Sequence, residues 1–203
     1  MKYLEKIQGL LPLGYLYLIL LGLLKESILY HQLGVNILDY SSISDILLSP
    51  ISDMSANPII IIVAAFVVLL LFIFQHMLVK YRQKNWAKKV LGKDRFSDDI
   101  PKSEIRKAIL PYFFLFIGFE MLSLFVGLGL GEGSILSKKI HENELRYEQK
   151  IAFSNGEHED VHIIDVNSTY CFYVSKGNKN IKIAPIGTIN NLELLKTNKN
   201  EKQ

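Results

Sequence analysis

Three long stretches of this chain are apolar on every side. Eighteen residues without Asp, Glu, Lys or Arg stand between Lys6 and Lys25, and 26 between Asp53 and Lys80. Between Lys107 and Glu132 stand 24, with Glu120 the only charge among them. Uncharged apolar runs of about 18 or more residues predict membrane-spanning helices. The pattern places spans at about 7–33, 58–79 and 103–130. Pro12 falls in the first turns of the first span, where a missing N–H matters least, and Gly34 is its predicted stop. The second, from Ile59 to Leu71, has no polar face, unlike any amphipathic surface helix. It is expected to continue through Tyr81 into a basic segment that ends at Gly92.

Between the first two spans, Ser42 followed by Asp45 fits a capping box. Ile43, Ile46, Leu47, Ile51 and Met54 share one helical face, predicting an interfacial helix over 42–54. Beyond Gly133 the character changes. Residues 134–145 read as a charged linker or helical stalk. From Arg146 the period shifts towards two, predicting strands at Tyr147–Phe153, Val161–Val166, Tyr170–Val174, Asn180–Ala184 and Leu192–Leu195. Ser154-Asn155-Gly156, Asn167-Ser168 and Lys176-Gly177-Asn178 are the predicted turns. The predicted fold is an integral membrane protein of three transmembrane α-helices followed by a small C-terminal antiparallel β domain, a small barrel or curled meander. Residues 1–133 form the membrane domain, 134–145 the linker, 146–196 the β domain and 197–203 a disordered tail.

Composition alone would not reveal this. With 49% hydrophobic and 21% charged residues the chain matches an average soluble domain. Charge adds direction. Residues 80–107 carry ten basic side chains against four acids, a net of +6 within a total of +3. Cytoplasmic flanks hold the excess of Lys and Arg. Twelve basic residues fall on the inner side if the N-terminus is cytoplasmic, against five on the other. The count predicts a multi-pass protein of the cell (inner) membrane with the β domain outside. Lys80, Arg82, Lys84, Lys88 and Lys89 are expected to meet anionic lipid, with the bilayer rather than nucleic acid as partner. The first span exits through Leu23-Leu24-Lys25-Glu26-Ser27, without a small-residue cleavage pattern, so it is expected to be retained rather than removed as a signal peptide.

Glu120 is the most informative residue. It sits mid-way along the third span, where a charge costs about 2.5–3.5 kcal/mol on insertion scales. Ser123, Gly127 and Gly131 share its face, a small-xxx-small series that permits close helix approach. Tyr17 lies at similar depth, about 15 Å from the inner face against about 18 Å, and is a candidate partner. The stripe reads either as a pore-lining or gating acid or as a buried helix-packing site. Gly127–Gly133 lacks the Lys-Ser/Thr ending of a phosphate loop. His158, Asp160 and His162 alternate along a strand and could hold zinc, although a solvated edge is the more economical reading. His76 reads as an interfacial histidine. Cys171, the single cysteine, reads as a small packed hydrophobe. No catalytic triad, paired-cysteine motif or dinucleotide loop is visible, so the expectation is a non-enzyme without cofactor or metal.

In architecture alone, a few spans joined to a compact β domain, the chain resembles small bacterial membrane effectors of antiphage defence. The resemblance implies homo-oligomerisation, a breach of the membrane and a small-molecule or protein ligand on the β domain. With the Glu120 stripe, it makes the expected function that of a channel or membrane-disrupting effector gated by that domain. The alternative is an envelope sensor or scaffold accessory to a larger complex. An effector sensing a cytosolic nucleotide would need its β domain inside, against the charge count.

Overall fold

A computed structural model describes residues 2–91 and 101–195, the helix over residues 2–7 in backbone only. Gly92, the polar connection after it and the tail at 197–203 lie outside the described residues. Five α-helices precede five strands: α1 (Lys2–Gln32), α2 (Ile43–Ala56), α3 (Pro58–Lys80), α4 (Asn85–Leu91), α5 (Lys102–Glu142), β1 (Gln149–Phe153), β2 (His158–Val166), β3 (Tyr170–Ser175), β4 (Ile181–Pro185) and β5 (Ile189–Leu194). Among the described residues three helices, α1, α3 and α5, are long and apolar enough to cross a membrane. The chain divides into two compact units, Met1–Pro50 with Phe125–Gln203, and Ile51–Leu124.

In the first unit, α1 begins earlier than expected, so Pro12 lies inside the helix rather than in its first turns. Its end follows the sequence signal. Gly34 adopts φ +76°, a left-handed conformation that suits glycine. The Val35 N–H then donates back to the Tyr30 carbonyl at 2.9 Å, closing the helix as a Schellman turn does. A 3-10 turn, Ile37–Asp39, leads to α2. There the Ser42 N–H and hydroxyl donate to Asp45 Oδ2 at 2.9 and 2.6 Å, and the Asp45 N–H donates to Ser42 Oγ at 3.2 Å. This is the reciprocal capping box.

The helix containing the third span does not stop near Leu130, as the glycine run suggested. It continues to Glu142 and closes on Asn143, at φ 58°. Residues 134–142 are therefore a helical stalk. Glycine in a helix costs about 1 kcal/mol, but Leu136 and Ile140 are held by packing against Val174 of the sheet.

The strands form one antiparallel sheet in the order β4-β3-β2-β1-β5. β1 to β4 are a meander, and β5 returns to pair with β1, Ile151 opposite Leu192. β4 and β5 are joined by the 3-10 turn Ile186–Thr188. Four strand spacings in a flat sheet would span about 19 Å. Four residue steps from Pro185 to Ile189 reach about 14 Å at most. The sheet must therefore curl, and its concave side encloses Ile151, Val161, Cys171, Tyr173 and Ala184. Three strands differ from expectation by more than one residue: β1 starts later, at Gln149, β2 earlier, at His158, and β5 earlier, at Ile189, where it can pair with Phe153.

In the second unit, α3 starts with Asn57 Oδ1 accepting from the Ile59 N–H, Pro58 at its first position. It does not run on into the basic segment. Tyr81 caps it, its N–H donating to the Met77 carbonyl, and Lys80 and Lys84 place their ammonium groups 5.5 and 5.1 Å from its ring. After that turn the chain re-enters helix as α4.

Candidate functional site at the helix and sheet junction

The end of α1, the later part of α5, the start of α2 and the sheet meet within the first unit. Strand alternation makes this contact. On β3, Cys171 and Tyr173 face the concave core, whereas Phe172 and Val174 face the helices. Phe172 is wholly buried and meets Tyr30 of α1 with ring centroids 5.1 Å apart. Tyr40, from the loop before α2, stands edge-on to Tyr170 at 5.5 Å and to Phe172 at 6.1 Å. Leu29, Ile37, Leu33 and Val35 complete that cluster. Leu145 and Ile140 close a second cluster on Val174. The β domain is thus docked on both helices.

Polar contacts reinforce it. Asp45, while capping α2, accepts from the Ser168 N–H at 3.1 Å and its hydroxyl at 3.0 Å. Asn167 Nδ2 donates to the Tyr40 carbonyl at 3.0 Å. Burial pulls the Asp45 carboxyl upward, but the hydrogen bonds from Ser42 and Ser168 outweigh it and hold the group below its usual range.

Between α1 and α5 the backbones approach closely. A Cβ on Gly129 would lie 2.6 Å from the Lys25 carbonyl oxygen, and one on Gly133 3.0 Å from that of Leu29. On α1, a Cβ on Gly22 would collide with the Ile46 carbonyl oxygen of α2. Gln32 Nε2 donates to the Gly129 carbonyl at 3.1 Å, spanning the two helices. Lys25, only 5% exposed, reaches Glu132 Oε2 at 3.3 Å and Glu26 Oε1 at 3.5 Å. Glu26 also accepts from the Ser49 hydroxyl. Such an arrangement holds α1, α2 and α5 in one register through a charge enclosed by protein.

Within the chain, Gly127 and Gly131 have nothing near the position of a Cβ, and both are exposed. The glycines that pack against α1 are Gly129 and Gly133. Ser123 is exposed, Glu120 half-buried, and Tyr17 of the other unit half-buried. Gly22, Lys25, Gln32, Gly129, Gly133 and Glu132 were not singled out by sequence. The Gly129-xxx-Gly133 spacing was a usable signal, but it is the same spacing as Gly127-xxx-Gly131.

Of the other candidates, Lys80, Lys84 and Lys89 are exposed and Arg82 and Lys88 half-buried. His76 is exposed. Asp160 pairs with Lys176 at 3.9 Å, and His162 Nδ1 lies 2.9 Å from the Arg146 carbonyl, so these two residues of β2 have separate partners. At the same end of the sheet, Glu159 binds Lys182 Nζ at 2.8 and 2.9 Å and accepts from Ser175. Burial raises the Glu159 carboxyl, and those bonds more than reverse it, leaving it lowered. Comparison with protein-family models, with curated proteins and with solved structures finds no match to this chain.

Proposed function

We propose that this chain is a non-enzymatic, homo-oligomeric membrane protein, a channel or membrane-disrupting effector whose state is controlled by its C-terminal β domain. One observation carries the reading: the outer face of β3 is buried against the ends of α1 and α5 through Phe172 and Val174. A ligand that alters the sheet would act on two membrane helices directly, with no flexible segment to absorb the change. The free faces of Gly127 and Gly131 support assembly, because they leave room for another copy's backbone. Glu120 is the acid proposed to line or gate the conducting path. The proposed placement is the inner membrane with a cytoplasmic N-terminus, on the basic-residue count, and a role in antiphage defence rests on architecture alone.

The test is ion flux from vesicles reconstituted with the full chain. Flux through the wild type, changed by Glu120→Gln with assembly retained, is expected. No flux in either protein, or flux indifferent to Glu120→Gln, would refute the channel reading. A C-terminal reporter active only outside the cell checks the orientation.

A second reading, a membrane-anchored sensor or scaffold, is favoured by one feature. β5 is an end strand whose Leu192 and Leu194 are 40% and 76% exposed, a suitable edge for a partner strand. It predicts a hetero-complex without flux, lost when β5 is blocked by proline.

A further inference from the structure

The second unit contains a groove of about 670 Å³ between α3, α4 and the first part of α5 that the junction does not use. Its walls include Leu71, Phe74, Leu78, Val90, Tyr112 and Phe116, a surface suited to hydrocarbon. One wall residue is out of character. Gln75 is 8% exposed, and its Nε2 has no hydrogen-bond partner among the described residues. A buried amide donor left unpaired costs about 1–3 kcal/mol. The groove therefore suits an occupant that is apolar in bulk and carries an acceptor at one level.

Charge narrows the occupant further. Lys89 directly precedes Val90, and Arg106 and Lys107 directly precede the groove residues Ala108 and Ile109; all three cations are exposed. Gln75 lies five residues before Lys80, about 7.5 Å along the helix. That is about the thickness of one interfacial layer between hydrocarbon and headgroups.

We propose that this groove holds one anionic phospholipid from the bilayer. Its acyl chains pack against Phe74, Leu78, Tyr112 and Phe116, a glycerol ester carbonyl accepts from Gln75 Nε2, and its phosphate is drawn to Lys89, Arg106 and Lys107. The inference rests on the membrane-spanning reading of the helices and is independent of conduction.

Native mass spectrometry of the detergent-solubilised full chain, offered equal dioleoyl-phosphatidylglycerol and dioleoyl-phosphatidylcholine, tests it. The wild type is expected to keep one phosphatidylglycerol in clear preference. Gln75→Leu should lower its retention about fivefold, the worth of one hydrogen bond. Ala108→Phe should fill the groove and abolish retention. Arg106→Gln with Lys107→Gln should erase the preference between the lipids while a lipid still binds. Equal retention of both lipids by the wild type, or retention untouched by both Gln75→Leu and Ala108→Phe, overturns the proposal. Trp86, the single tryptophan, lies on α4 four residues before Val90 and gives a second measurement. In phosphatidylcholine vesicles, brominated phosphatidylglycerol should quench it saturably in the wild type and only in proportion to bulk lipid in Gln75→Leu. Proportional quenching in the wild type overturns the site. Release of the chain from membranes by an alkaline wash would instead overturn the span reading on which the proposal stands.

Discussion

Asp45 and Ser168, one at the head of an apolar-rich helix and the other in a hairpin turn of the sheet, are joined by two hydrogen bonds through a single carboxylate. The same carboxylate caps α2 through Ser42. Removing it should cost more than removing either partner. Asp45→Ala is expected to lower stability by about 1–3 kcal/mol, combining a lost cap with lost latch bonds. Ser168→Ala, which spares the capping box, should cost about 1 kcal/mol. Thermal unfolding in detergent reads both; no loss in Ser168→Ala would mean that its hydroxyl contributes nothing to the latch.

The same carboxylate predicts a pH dependence. Its folded pKa lies below its ordinary value of 3.8, and that of Glu159 lies below 4.5. A depressed pKa means the unfolded chain binds the proton more tightly. The stabilisation is therefore present above the ordinary values and is lost as pH falls through the folded ones. Between pH 7 and 3 the wild type should lose stability more steeply than Asp45→Asn or Glu159→Gln. Parallel profiles would contradict the assignment.

Four glycines of α5 give a comparison in which position alone decides the sign. Gly129→Ala forces a Cβ against the Lys25 backbone and should destabilise by about 1–3 kcal/mol. Gly133→Ala should cost less, because its tightest neighbour is the flexible Gln32 side chain. Gly127→Ala and Gly131→Ala meet nothing and should be neutral or stabilising by up to about 1 kcal/mol. If the open face also pairs with another copy, Gly127→Leu should shift the oligomer towards monomer in crosslinking while leaving thermal stability unchanged.

Those glycines also show where sequence stopped being informative. Residues two apart on a helix lie about 200° apart, so Gly127/Gly131 and Gly129/Gly133 occupy opposite faces with identical spacing. Nothing local says which face a neighbour takes. The choice is made by α1, far away in the chain. The three apolar helices, the Ser42–Asp45 box, the Gly34 stop and most strands were legible because each is a local pattern. The return of β5 to β1 was not, since a single 3-10 turn gives no hint of which strand comes next. Lys25 shows the same limit. Its charge was visible, but its burial depends on Glu132.

Cys171 should behave as a packed side chain in the folded protein. It is 1% exposed in the concave core, and burial, helped by the charge of Asp165, raises its thiol to about 11. At pH 8 only about one thiol in a thousand is ionised. Maleimide labelling should be at least about a hundredfold slower in the folded chain than in denaturant. Comparable rates would mean that the sheet opens readily and would weaken the proposal that it acts as a rigid lever on α1 and α5.

Lys25 offers the sharpest test of the junction. Its ammonium is enclosed, whereas Glu132 is 45% exposed on its side chain and can recover water. Breaking the pair from the two ends should therefore be unequal. Glu132→Gln leaves Lys25 beside Glu26 and should cost about 1 kcal/mol. Lys25→Met removes the central cation from beside Glu26, which is 12% exposed on its side chain, and should cost about 2–4 kcal/mol. The double variant should fall short of the sum, because the second substitution removes a contact already lost. A double-mutant cycle on thermal unfolding measures that shortfall. Strict additivity would show that Lys25 and Glu132 are neighbours without interaction, and that α1 is held against α5 by the close glycine contacts and the Gln32 bond instead.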